Sequence, residues 1–275
     1  MVGSGVPVFF PMTARELLKQ AKPEEALARL QADIKKQPGD AGLRLGLFQL
    51  LALTGQWERA LSQVQTAVSL NAKLGPMAQL LRSLVELEQV RSAVFAGKRL
   101  PAIFGPAPEW LELLLAGRSA SEPKRLAAAI KSHTKALKNA PARAGSVDGQ
   151  AFKWISEADA RFGPTLEVYL QGNYYWVPFE LVAQIDFETP RDLQDLIWLP
   201  AKLTWLNGGT ASAHIPVRYP GTEKSLDSNL LLARTVTWEK HGPNFLIGTG
   251  VRVLSADCGD FPITKIRTLT FSSGK

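Results

Sequence analysis

The sequence predicts a multidomain chain of α and β character: α-helical repeats over residues 1–145, then a small, mainly antiparallel β domain over 146–275. Three observations predict it. Segments 34 residues apart align with each other, the apolar spacing switches from helical to alternating from about Leu166, and the stretch NAPARAGSVDG at 139–149 separates the two patterns.

The helices come first. EEALARLQADIKKQP from Glu24 and ERALSQVQTAVSLNA from Glu58 superpose Ala26 on Ala60, Leu27 on Leu61, Leu30 on Val64 and Gln31 on Gln65. An offset of 34 is the period of the tetratricopeptide helix pair, so the N-terminal half is expected to be tetratricopeptide-like. Gly55 at the turn, Trp57 two residues on, and Ala60 and Ala67 where backbones must approach fit that pattern, with Leu47, Leu51, Val64 and Leu70 filling the space between helices. Pro38-Gly39-Asp40 stops one helix and supplies the N-cap of the next. Further helices are expected at about 75–96, 107–116 and 122–139. The last carries Leu126, Ile130 and Leu137 on one face and Lys124, Lys131, Lys135 and Lys138 on another.

The strands follow. LEVYLQGNYYWVPF alternates on both sides of Gly172-Asn173, a pair suited to a tight hairpin turn. That turn pairs Leu170 with Tyr175, Val168 with Val177 and Leu166 with Phe179 on a core face, leaving Tyr169, Tyr174 and Trp176 on the other. Those rings then either cover a second layer, with Trp198 and Trp205, or form an exposed aromatic platform for a partner. More strands are expected around 184–188, 202–206, 211–219, 234–239, 245–255 and 261–271, with a short helix begun by Thr189-Pro190 and Asp192.

Composition narrows the function. With 45% apolar and 21% charged residues the chain can bury a core, and none of its apolar stretches approaches the roughly 18 to 20 residues of a membrane span. The opening MVGSGVPVFFP has no basic segment ahead of its brief apolar run, and the one cysteine, Cys258, excludes an internal disulfide, so a cytoplasmic protein is expected. The net charge of +7 sits unevenly: residues 1–150 hold 20 Lys and Arg against 12 Asp and Glu, and residues 151–275 hold 12 against 13. Arg118 to Arg143 is the most basic stretch, suited to an acidic protein, an anionic membrane or nucleic acid. A nucleic-acid-binding module is therefore the alternative, but single strands are held by aromatics interleaved with cations, and this stretch contains no Phe, Tyr or Trp.

Catalytic patterns are wanting. His133, His214 and His241 show no metal-ligand spacing, no GxxxxGK[ST] loop is present, and GTGVR at 248–252 lacks the spacing of a dinucleotide fingerprint. Cys258 in ADCGDFP lies between Asp257 and Asp260, surroundings of a β-turn rather than of a nucleophile, and the pair Asp192 and Asp195 reads as helix-start chemistry. Neither an enzyme nor a cofactor is expected.

Four segments, WISEADARFGPTLEV (154–168), GNYYWVPFE (172–180), DLQDLIWLPAKLTWLNGG (192–209) and HIPVRYPGTE (214–223), in that order resemble the ImpE/TagJ family of type VI secretion accessory proteins. Asp159, Arg161, Gly163, Pro164, Tyr175, Trp176, Pro178, Trp198, Pro200, Asn207, Gly208, Pro216, Arg218, Tyr219 and Pro220 match its motif positions, while Glu157 stands where an aspartate is more usual. The resemblance implies a non-enzymatic cytoplasmic adaptor; neither nucleic acid nor a membrane is expected as a partner. It would bind a helix near the N-terminus of the small sheath subunit and be linked, directly or indirectly, to the AAA+ ATPase that disassembles contracted sheaths. The expected contacts are Leu45, Gln49 and Leu53 on the inner side of the repeat, steering by Lys124, Lys131, Lys135 and Lys138, and, if the platform is exposed, Tyr174 and Trp176.

Overall fold

The computed structural model describes residues 12–116, 123–242 and 245–272. Seven helices lead: α1 (Met12–Lys19), α2 (Pro23–Lys36), α3 (Ala41–Leu53), α4 (Trp57–Leu70), α5 (Gly75–Phe95), α6 (Glu109–Ala116) and α7 (Pro123–Asn139). Helices α2 and α4 start 34 residues apart, and the aligned residues Ala26, Leu30, Ala60 and Val64 are fully buried. The Asp40 side chain caps α3, accepting from the backbone N–H of Gly42 at 2.7 Å and of Leu43 at 3.1 Å. Gly55 takes a positive φ of 68° at the α3–α4 turn, as the sequence required.

Helix α3 departs from a surface helix. Every residue from Leu45 to Leu53 is buried, because α2 and α4 cover two sides and the C-terminal half covers the third. A helix apolar all round belongs in an interior.

The C-terminal half builds on a nine-stranded sheet of order β1-β6-β5-β9-β8-β7-β14-β2-β3. Its members are β1 (Ala102–Ile103), β2 (Gly145–Val147), β3 (Gln150–Phe152), β5 (Thr165–Leu170), β6 (Asn173–Pro178), β7 (Val182–Phe187), β8 (Trp198–Trp205), β9 (Thr210–Pro216) and β14 (Thr268–Phe271). A three-stranded sheet joins β4 (Ile155–Glu157), β12 (Val253–Ala256) and β13 (Gly259–Pro262), and β10 (Val236–Gly242) pairs with β11 (Phe245–Gly250) as a ribbon. A short helix, α8 (Ser228–Leu231), precedes that ribbon. Pairing is antiparallel except for β1, which comes from the helical half and lies parallel to β6.

The β5–β6 hairpin corrects the expected turn. Leu170 pairs with Asn173 and Val168 with Tyr175, so the two turn residues are Gln171 and Gly172, with φ of 50° and 74°. The slide moves each partner by two positions, and with a side-chain period of two the expected faces survive. Leu166, Val168, Leu170, Val177 and Phe179 are buried in one core, with Tyr175 packed against it. The opposite face is buried as well: Tyr169, Tyr174 and Trp176 belong to a second core that also holds α2 to α6 residues and Trp198. Thus the core runs across the expected boundary at 145/146. Among the described residues no helix is long and apolar enough to cross a membrane.

Candidate functional site

The sheet face under α5 carries the densest chemistry. Glu88 and Arg91 stand one turn apart on α5 among Leu84, Leu87 and Val94, and Glu167 stands between Leu166 and Val168 on β5. Arg91 donates from Nε to Glu167 Oε1 at 2.8 Å and from Nη2 to Glu167 Oε2 at 2.7 Å, a bidentate pair, and Nη2 also reaches the Arg218 carbonyl at 2.8 Å. Tyr174 donates its hydroxyl to Glu167 and accepts from Trp176 Nε1 at 2.7 Å. Glu88 Oε1 accepts from the Tyr169 hydroxyl at 2.7 Å and from Trp198 Nε1 at 3.0 Å.

A second pair lies beside the first. Arg252 donates to Glu157 Oε2 from Nε at 3.0 Å and Nη2 at 2.6 Å, while Tyr219 donates to Glu157 Oε1 at 2.7 Å. Arg252 Nη1 lies 3.4 Å from Glu167 Oε2, which joins the two pairs into one network. Burial works against the Arg91 charge, but Glu167 and Glu88 outweigh it and hold the guanidinium above the ordinary arginine range. Burial pushes Glu167 up, but Arg91 and Arg252 outweigh it and hold the carboxyl below the usual range. Glu157 goes the other way: burial pushes it up, and Arg252 and Tyr219 only partly offset that. Among the described residues no carboxylate pairs with the Arg218 guanidinium; Nη1 donates to the carbonyls of Leu53 at 2.8 Å and Leu231 at 3.0 Å, and burial lowers its pKa to about 10.

These groups serve each other, and they tie the halves together. Asp159 and Gly163 of the motif segments are likewise built into the interior. Asp159 is fully buried, accepts from Arg161 Nε and Nη2 at 2.9 and 2.6 Å and from Gly248 N at 2.8 Å, while Gly163 sits at a φ of 65° beneath Trp110, Leu114 and Leu137. Asp195 accepts from the backbone N–H of Arg191 at 2.8 Å and of Asp192 at 3.1 Å, which makes the 3₁₀ turn Leu193–Leu196 where a short helix was expected. Cys258 lies in the turn between β12 and β13. Among the described residues no group of three or more His, Cys, Asp or Glu is arranged to hold a metal.

The expected contact residues divide. Leu45, Gln49 and Leu53 are 1%, 1% and 0% exposed, because the β half fills the inner side of the repeat: Trp198 stacks on Phe48 at 6.4 Å and lies 6.1 Å from Trp57. They are not an open groove. Tyr174 and Trp176, at 3% and 0% exposure, are not a platform either, since α5 lies over them and Phe95 and Phe162 pack on Trp176 at 6.2 and 5.1 Å. Lys131, Lys135 and Lys138 are exposed on α7; Lys124 is within that helix, but its side chain lies outside the described residues. Arg143 leaves the basic stretch altogether, spending its guanidinium on the carbonyls of Phe179 at 3.1 Å and Ser272 at 2.9 Å. The network residues Glu88, Arg91, Glu167 and Arg252 were missed by sequence reasoning. Their signal was present in part, as an acid and a base one turn apart on the apolar side of α5 and a lone acid inside an apolar strand.

Comparison with known proteins agrees with this architecture. The family model described as ImpE protein matches residues 149–270, and a tetratricopeptide repeat model matches residues 17–85. The type VI secretion system accessory component TagJ of Pseudomonas aeruginosa is 37% identical over 270 residues, spanning 98% of this chain and 95% of that protein. The crystal structure of protein VPA1032 from Vibrio parahaemolyticus has the same fold, with a TM-score of 0.85 over 96% of this chain and 98% of that one at 22% identity. From its repeat helices to its last strand, the chain belongs to the ImpE/TagJ family of type VI secretion accessory components.

Proposed function

We propose that the chain is a non-enzymatic adaptor that acts in the cytoplasm. It binds a helix near the N-terminus of the small sheath subunit and links that subunit, directly or through another protein, to the AAA+ ATPase that recycles contracted sheaths. The observation that carries this reading is the likeness, nearly end to end, to a type VI secretion accessory component. The buried network fits it, because Arg91, Glu167, Arg252 and Glu157 are committed to each other and make the two halves one scaffold. With the inner side of the repeat filled by the β half, the partner meets an outer surface.

The test is reconstitution from purified proteins. Mixed with the small sheath subunit, the chain should elute as a complex, and removal of the subunit's N-terminal helix should abolish it. Adding the ATPase then separates a direct link, seen without the subunit, from a bridged one. Failure to bind the intact subunit in low and moderate salt would sink the adaptor reading.

A further inference from the structure

A cleft of about 410 Å³ opens where α1 meets the turn before β8 and the chain that follows α8. Its floor is apolar: Leu193 and Leu232 are 7% and 2% exposed, and Leu18 and Leu196 are half-buried beside them. Its rim is cationic, with Arg15 and Lys19 from α1, Arg191 from the turn and Arg234 from the segment after α8. Among the described residues the one carboxylate lining it is Asp192. Asp195 does not line it, and its side chain accepts from the backbone N–H groups of Arg191 and Asp192.

The rim is set in place by the fold. Arg234 donates from Nη2 to the Leu18 carbonyl at 2.6 Å and from Nη1 to the Lys19 carbonyl at 3.0 Å, so its charge caps the C-terminal end of α1 and pins that helix to the β half. Arg15, Lys19 and Arg191 make no salt bridge among the described residues. Four cations line an apolar floor against one acid among the described residues, a balance that favours an anionic partner. The floor calls for an apolar group in addition to the anion, which a free phosphate does not offer.

We infer that this cleft is a docking site for an acidic amphipathic segment of a partner protein, whose Asp or Glu side chains meet Arg15, Lys19 and Arg191 while a leucine-like side chain enters over Leu193 and Leu232. This rests on the adaptor reading, and it supplies the outer surface which that reading requires. It adds to the α7 lysines a second cationic surface, at α1, where cations and apolar surface coincide.

The test uses the full chain and a fluorescein-labelled helical peptide with Leu and Glu at i, i+3 and i+4 spacing, titrated by anisotropy. The peptide should bind, its Kd should rise with salt, and Arg15→Glu with Arg191→Glu should weaken it by about tenfold or more at unchanged melting temperature. Lys19→Glu is the second variant and should weaken it by a smaller factor. Equal affinity of the double variant overturns the site. So does equal binding of the same peptide with Lys in place of Glu. Stronger binding after deletion of residues 1–11 would assign the cleft to the chain's own leader and overturn it too. The small sheath subunit, titrated in parallel, separates the two readings: if it binds the double variant as well as wild type, the cleft is wrong and the adaptor stands. If the peptide binds as expected and the subunit does not bind wild type, the cleft stands and the adaptor reading fails.

Discussion

At the scale of single residues, Glu167 explains why this sheet face tolerates charge at all. It is fully buried, and its oxygens receive Arg91 and Tyr174, with Arg252 close by, so the desolvation of the carboxylate is matched by donors on nearly every side. Arg91→Met removes two of those donors and should destabilise the chain by about 3 to 5 kcal/mol in urea unfolding, since it strands a buried charge. Arg91→Met with Glu167→Gln should cost less than the sum of the singles; simple additivity would mean that the pair is not coupled. The pH dependence has a fixed sign. Glu167 is held below its unfolded value, so its contribution is full above about pH 4.5 and is lost as pH falls toward the folded pKa. The rings of GNYYWVPFE belong here too. Phe179→Ala and Trp176→Ala should each cost about 3 to 5 kcal/mol, with partner binding lost only as the protein unfolds. Normal melting of Trp176→Ala together with lost binding would reverse that assignment.

At the scale of elements, α7 has two faces with opposite duties. Outside, Lys131, Lys135 and Lys138 are exposed. Inside, the buried His133 ring meets Phe245 edge-on at 5.3 Å, and burial pushes its pKa down, opposed in part by Asp159. His214 on β9 is pushed down the same way, opposed by Asp195. A neutral buried histidine resists the proton that its unfolded form takes up near pH 6.5, so stability should fall as pH drops below about 6.5 and continue to fall until the folded ring protonates. Thermal melts at pH 7.5 and 5.5 should show that loss, and His133→Gln with His214→Gln should flatten it. An undiminished difference in the double variant would place the acid sensitivity elsewhere. Lys131→Glu with Lys135→Glu tests the outer face: slower association and a flatter salt dependence would give these lysines a steering role, and unchanged kinetics would leave them a solvated stripe. Much of this element map was legible. The 34-residue offset, the Asp40 cap and α5 to α7 follow from local periodicity, and so do the faces of β5 and β6. What stayed hidden was non-local. β1 is two residues long and pairs across more than seventy positions, and β2 to β4 are three residues each, too short for alternation to register. Leu45, Gln49 and Leu53 have the spacing of a groove-lining face, and only the tertiary contact with Trp198 shows that the groove is filled from within the chain.

At the scale of the whole molecule, the two halves differ in secondary structure but share a core, which bears on whether 1–145 and 146–275 can live apart. One cluster of buried side chains contains Leu30, Leu51 and Val85 from the helices together with Trp176, Trp198 and Tyr219 from the sheets. Hydrogen bonds cross the boundary at Arg91–Glu167, Arg218–Leu53, Tyr169–Glu88 and Arg143–Phe179, and β1 is hydrogen-bonded to β6. Cutting the chain at 145 would expose α3 on one side and Trp176 with Trp198 on the other, and would leave Glu167 in the β fragment without Arg91. Local helix and strand preferences do not depend on that contact, so we propose that each fragment keeps its type of secondary structure but loses cooperative stability. By circular dichroism, 1–145 should be helical and 146–275 rich in strand. Each should melt broadly and well below the intact chain, and an equimolar mixture should recover a single cooperative transition near that of the whole. A fragment 1–145 that melts as sharply and as late as the intact chain would show that the shared core is dispensable; a strand-dominated spectrum for it would defeat the division into halves.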